Sequence, residues 1–293
     1  MDKMWLLYAV FAAILAGIPS FILKVAAQRK YNSEVFIFFG ALASIIILIP
    51  TALIRSGVDS INWRMMLVAL VVGFFAALGS IFRIHALCYV DTTIYYPLEK
   101  LFSPAIVIAF GVTLFSESFT GVEWAGLLLG ILVPLLLVTK KESKRQNNLL
   151  LGIVLVLVTG AISALVSALG KYVSGNYQDV LWIVTAVSSG VLMGSFLFAL
   201  QRKGFVKITE HLVQKRTKSF VFLAMARGAA NVIAYLCYVY SFVLGGPLVI
   251  VHTVYSLYIL IPIVLSIIYY KEHWNLQKVS AIGLSFVALF LLQ

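Results

Sequence analysis

Apolar residues run through this chain in long blocks, and polar residues fall mainly in the gaps between them. Val35–Ile54, Met65–Phe82, Gln146–Gly170 and Val180–Gln201 contain no charged side chain at all. Each is close to the ~20 residues that a helix needs to cross ~30 Å of hydrocarbon. The runs are continuous rather than alternating, so the pattern predicts helices and excludes barrel strands. Glycines, prolines and short basic clusters divide the chain into ten predicted spans: 4–24, 35–54, 65–89, 92–116, 119–139, 148–171, 180–201, 219–244, 247–270 and 275–293. Connections are short except for the basic stretch 202–218. The first run, Trp5–Leu23, reads as a span rather than a signal peptide, since Lys3 is the only basic residue before it and no small-x-small cleavage site followed by a soluble chain is present.

Composition strengthens this picture. Charged residues make up 11% of the 293, against about 25% in soluble domains, and mean hydropathy is +1.04. An all-α, multi-pass protein of the plasma (inner) membrane is expected, with the bilayer as its solvent. A sequence pI near 9.6 raises nucleic acid as a partner. The basic residues instead cluster between apolar runs, where they orient membrane proteins, so no nucleic-acid partner is expected. Cys88 and Cys237 fall inside predicted spans and read as small packing residues. There is no G-x-x-x-x-G-K-[ST] loop, no H-E-x-x-H and no nucleophile with a base beside it. Neither an enzyme, nor a cofactor, nor a nucleotide-driven pump is expected.

The chain also looks duplicated. Gly73 and Glu117 are 44 residues apart, as are Gly228 and Glu272. In this register Gly126 and Gly130 align with Ala281 and Ser285, a small-xxx-small spacing suited to close helix contact. Ser20-x-x-x-Lys24 recurs as Ser167-x-x-x-Lys171, while LCYV at 87–90 and 236–239 supports a slightly shorter offset. Two five-helix halves, 1–145 and 146–293, are expected. Five is odd, so tandem copies must be inverted in the membrane, and inverted repeats commonly meet at a midplane substrate site.

Lys24 at the end of the first span, Pro104 thirteen residues before Glu117, Gly126 in the next span, and the second-half series Pro262, Glu272 and Gly283 together resemble the EamA family of the drug/metabolite transporter superfamily. That resemblance implies a secondary transporter of small metabolites, often an exporter. Family members often carry an Arg early in the second span, where this chain reads FIFFGALAS, and usually keep both termini in the cytoplasm.

Charges inside spans are costly and are functional candidates by default. At ~1.5 Å per residue, Arg83, Glu99 and Arg227 lie roughly 10, 12 and 14 Å from the same face. Tyr96, Glu99, Lys100 and Ser103 share one stripe of the fourth span. Arg227, Asn231, Tyr235 and Tyr238 share another on the eighth, and His252, Tyr255 and Ser256 a third on the ninth. The three stripes are expected to line one water-filled cavity, with Pro97 and Pro104 loosening the backbone beside Glu99. Plainer roles compete with this. Arg83–Glu99 suits a structural ion pair, and Lys24 and Lys171 suit snorkelling to the interface. His252 suits an interfacial position, His85 the edge of the Arg83 patch, and Glu117 and Glu272 caps on the helices that follow them.

Arg83, Lys100 and Arg227 against Glu99 leave a net charge of +2 in this layer. That favours a small-molecule substrate with a carboxylate or other anionic group, an amino acid or organic acid, with Glu99 binding a substrate amine or carrying a coupling proton. A lipid-carrier or phospholipid flippase and a non-transport membrane subunit are the alternatives. Outside the spans, Lys3, Arg55, Arg64 and Lys171 lie on the side of the termini, and every other Lys and Arg on the opposite side. The charge asymmetry therefore puts loop 202–218 in the cytoplasm and both termini outside. Single cysteines introduced into that loop should resist a membrane-impermeant thiol reagent on intact cells. Rapid labelling would reverse the assignment.

Overall fold

The computed structural model describes residues 4–29, 31–90, 92–136, 149–201, 217–261, 264–265 and 276–292. They form ten α-helices: α1 (Met4–Gln28), α2 (Ser33–Arg55), α3 (Trp63–Tyr89), α4 (Thr92–Leu114), α5 (Gly121–Leu136), α6 (Leu149–Asn176), α7 (Val180–Gln201), α8 (Thr217–Val243), α9 (Leu248–Ser256) and α10 (Leu276–Leu291). No strand occurs among the described residues. Six helices carry apolar stretches long enough to cross a membrane, and Gly121–Val133, Leu248–Ile259 and Ser280–Leu291 are shorter apolar helices. This is an all-α, multi-pass membrane architecture. Pro262, Glu272 and loop 202–216 fall outside the described residues, as do the side chains of Lys24, Cys88 and Tyr96.

The helix starts follow local chemistry. The Asn32 side chain accepts from the Val35 amide at 3.1 Å and opens α2. At α5, the Glu123 carboxylate accepts from the Thr120 amide at 2.7 Å while the Thr120 hydroxyl accepts from the Glu123 amide at 3.3 Å. This is a reciprocal capping box. The ninth span departs from expectation. It was expected to run unbroken over 247–270, but α9 tightens into a 3-10 turn at Leu257–Ile259.

Outward faces are apolar: Leu7, Phe11, Ile14 and Ile18 on α1, and Phe222, Ile233 and Tyr240 on α8, are exposed. Inside, the helices pack in a regular scheme. Prominent pairs are α3 with α7, α2 with α8, α1 with α8, α3 with α6, α4 with α6 and α1 with α9, while α2 packs on α7, α5 on α10 and α4 on α9. Replacing each helix by the one five places along exchanges six of these pairs among themselves and returns α2–α7, α5–α10 and α4–α9 to themselves, while α4 also packs on α5.

Two crossings set the spacing. A Cβ on Gly73 of α3 would overlap the Val187 carbonyl of α7, and one on Gly190 of α7 would overlap the Leu70 carbonyl of α3. At the other crossing a Cβ on Gly228 of α8 would overlap the Gly40 carbonyl of α2. There the Ser44 hydroxyl lies 3.1 Å from the carbonyl oxygens of both Gly40 and Gly228. Small residues let backbones approach to this distance, which drives helix association where lipid removes the hydrophobic incentive. Gly228→Ala should therefore push α2 from α8 and cost ~1–3 kcal/mol, the usual penalty of overpacking, read as a lower midpoint of thermal unfolding in detergent. Gly121→Ala, at a position open to space, should leave that midpoint unchanged.

Candidate functional site

Helix α4 runs unbroken through Pro97 and Pro104. Pro104 cannot donate to the Lys100 carbonyl, so one backbone acceptor is released next to the charged pair. Glu99 is completely buried. Its Oε1 accepts from the Arg83 guanidinium at 2.7 Å, lies 3.8 Å from Lys100 Nζ, and accepts from the Ser163 hydroxyl at 3.4 Å. Lys100 is buried as well, with its ammonium 4.6 Å from the centre of the Tyr258 ring. A desolvated cation over an aromatic face is stabilised by ~2 kcal/mol. Arg83 retains 18% side-chain exposure. The α4 stripe is thus packed against its neighbours, and Arg83 is the member of the ion pair that reaches accessible space.

Below this layer His252 joins three helices. Its Nδ1 is 2.8 Å from the Ser167 hydroxyl of α6, and its Nε2 is 3.1 Å from the Ser103 hydroxyl of α4. The Tyr238 hydroxyl donates to Ser167 at 3.0 Å, adding α8. His252, Ser103, Ser167 and Tyr238 are all buried. An interfacial position for His252 is therefore not what the fold builds: the imidazole sits in the core with both nitrogens engaged. The rings of Tyr235, Tyr238, Tyr255 and Tyr258 continue the cluster, with successive centroids 5.9, 4.5 and 5.4 Å apart.

The inner face of α8 differs. Arg227 Nε is buried and has no hydrogen-bond partner, and no described carboxylate pairs with its guanidinium. The guanidinium packs close to α2: a Cβ on Gly40 would stand 3.3 Å from Nη1 of Arg227. Arg83 and Tyr255 both lie within electrostatic reach of Arg227. One turn on, Asn231 is exposed. At 100° per residue it points about 160–180° away from the lipid-facing Phe222, Ile233 and Tyr240. An exposed amide on the inward face of a packed helix marks open space inside the bundle. Val232, beside it, is buried. The structure thus gathers Arg83, Glu99, Lys100, Ser103, Arg227, Tyr235, Tyr238, His252 and Tyr255 where α3, α4, α6, α8 and α9 meet. It also brings in Ser163, Ser167 and Tyr258, which the sequence reading did not select. Tyr258 lies one turn beyond Tyr255, and Ser163 and Ser167 are an i, i+4 pair in an apolar run, so helical spacing was the available signal. Apart from this cluster, Glu34 is buried in the first turn of α2, with Oε1 3.7 Å from His85 Nε2.

Glu117 does not cap the helix that follows it. Ser116 adopts a left-handed backbone, φ 52°, and Glu117 accepts instead from the amides of Leu248 and, at 3.1 Å, Val249. It therefore caps α9, whose own N-cap, Pro247, has no side-chain bond to give. Lys171 does not simply snorkel either. Its ammonium donates to the Gly246 carbonyl in the α8–α9 turn and lies 5.6 Å from the Phe242 ring centre.

Breaking the Glu99 ion pair tests the electrostatics. Glu99→Gln leaves Arg83 and Lys100 without their carboxylate and should cost ~3–5 kcal/mol. Adding Arg83→Gln should recover part of that stability. Folded yield and thermal midpoints of the single and double variants check both statements, and an unchanged midpoint for Glu99→Gln would show that water already screens the pair.

Comparison with known proteins agrees with this architecture. No curated protein matches the chain. One crystal structure, described only as that of a protein, superposes with a TM-score of 0.73 over 99% of this chain and 96% of its own at 13% identity, which establishes a shared fold. Residues 3–139, the segment that holds α1 to α5, match the EamA-like transporter family. That segment, with its buried acid–base pair on α4, is thus similar to the EamA-like transporter family.

Proposed function

We propose that this protein is a secondary transporter of small polar metabolites bearing a carboxylate or other anionic group, working by alternating access about the layer between its halves. The observation that carries this reading is Arg227, whose Nε is buried without a hydrogen-bond partner and with which no described carboxylate pairs, one turn from the inward-facing, exposed Asn231. A buried charge without a partner is expensive, and a fork of guanidinium donors matches carboxylate and phosphate oxygens. A ligand that brings the missing negative charge resolves the cost. The family likeness favours export as the direction.

The repeat scheme supports the movement. Several helix pairs recur five places along, which supports halves 1–145 and 146–293 that exchange their packing arrangements about an axis in the membrane plane. In the arrangement seen, Glu117 ties the α4–α5 turn to the start of α9, so a swing of α9 away from α4 requires that bond to break. The shift of α9 to 3-10 geometry at Leu257 places a deformable turn beside Tyr255 and Tyr258.

Thermal-shift measurements on purified protein against amino acids, organic acids, phosphorylated metabolites and lipophilic cations should find stabilisation among the anions. Charge-assisted hydrogen bonds contribute ~1.5–3 kcal/mol each, so Arg227→Gln should weaken the best ligand by roughly ten- to hundredfold and depress transport in vesicles to match. Stabilisation by cations alone, or an Arg227→Gln variant that binds and transports as well as the parent, would sink the reading.

A further inference from the structure

Two groups of three helices face each other across the polar cluster. In one, α1 packs on α8 and α9; in the other, α6 packs on α3 and α4. A step of five places exchanges the groups. The bonds between them are spread unevenly along the bundle. At one end the start of α1 meets the α8–α9 turn, where a Cβ on Gly246 would come within 3.1 Å of Trp5. There Glu117, just beyond α4, accepts from the amides of Leu248 and Val249, and Lys171 of α6 donates to the Gly246 carbonyl. Each bond runs from one group to the other.

His252 of α9 continues the seam inward. It lies 3.1 Å from the Ser103 hydroxyl of α4 and 2.8 Å from that of Ser167 of α6, to which Tyr238 of α8 donates at 3.0 Å. Ala168, Phe242 and Val251 pack with Tyr238 in one buried cluster, so this end of the seam is dry. Toward the other end, where Arg29 of α1 donates to Ser219 of α8 at 2.7 Å, burial falls away. Along the inner face of α8, Phe242 and Tyr238 are buried, Tyr235 is half-buried and Asn231 is exposed. On α6, Ser167 is buried, while Ser163, one turn nearer that end, is half-buried.

We propose that Glu117, Lys171 and His252 form a gate, closed here at the end where α1 begins, while the site at Arg227 and Asn231 opens toward the end where α8 begins. The proposal rests on the alternating-access reading and deepens it by naming the residues that must part. His252 is the hub, since one imidazole holds α9 to both α4 and α6. When the groups separate, each freed donor and acceptor regains a partner from the water that enters, so the closed state is specific without being permanent.

The test reads solvent access at two depths in the full chain, purified in detergent and carrying Cys88→Ala and Cys237→Ala. Asn231→Cys reports the open end, and Ala168→Cys, at a buried position, reports the gate. A water-soluble maleimide should label position 231 much faster than position 168. Adding His252→Phe, which keeps a ring but removes both nitrogens, should raise labelling at 168 by roughly tenfold, the shift that one or two net hydrogen bonds sustain. It should also slow labelling at 231, because opening one end closes the other. That reciprocal fall separates a gate from simple loosening, which speeds both. Glu117→Ala, at the edge of the bundle, should move both rates in the same directions, and it decides the matter if His252→Phe does not fold. Equal labelling of the two positions in the parent, or variants that speed both or change neither, would overturn the gate. Thermal shift with anions is read separately. Anion stabilisation without the reciprocal change sinks the gate and leaves the anion reading standing. The reciprocal change without anion stabilisation does the opposite.

Discussion

A single buried carboxylate governs the chemistry of this bundle. Glu99 is sealed from solvent on α4, and the bilayer offers no water to share its charge, so its position is tolerable only because Arg83 of α3 and Lys100 of its own helix converge on it. The pair joins α3 to α4, and Ser163 brings in α6. Lys100 in turn is held over Tyr258 of α9. One acid thus draws four helices toward a common layer. Arg227 on α8 stands outside this set, and no described carboxylate pairs with it.

Backbone proximity supplies the other constraint. The α3–α7 and α2–α8 crossings are as close as helices can come, with glycines meeting opposing carbonyls at Gly73, Gly190 and Gly228. Such contacts hold α2 and α7 together on one flank, and α5 and α10 pack on each other at the other. The polar residues Arg83 and Arg227 lie on the same helices, α3 and α8, that make these crossings. The Arg227 guanidinium lies beside Gly40, at the crossing that Gly228 keeps close.

Two charged side chains fasten backbone groups at the start of α9. Glu117 caps α9 across the interface, and Lys171 reaches the Gly246 carbonyl in the turn that leads into it. Each is a charged side chain on a backbone group, which sets geometry sharply yet breaks without exposing apolar surface to water. Bonds of that kind suit a carrier, in which each arrangement must be specific and none may be permanent.

Much of the fold was legible in the residues themselves. Uncharged runs of membrane-spanning length mark the helices because lipid admits no unpaired backbone, and ten helices follow at close to the expected boundaries. The polar stripes containing Glu99, Arg227 and His252 were visible because a helix repeats every 3.6 residues, and a charge inside a span announces itself. The Gly73 and Gly228 correspondence was legible too, as spacing, though not the carbonyls they would meet. What sequence could not supply was any distance between helices. That Glu117 reaches α9 rather than capping α5, that His252 lies in the core between two serines, and that Asn231 opens inward while Val232 beside it is buried all depend on which faces meet. Periodicity orders side chains around one axis. Their partners belong to other axes, and only the packed bundle places those axes side by side.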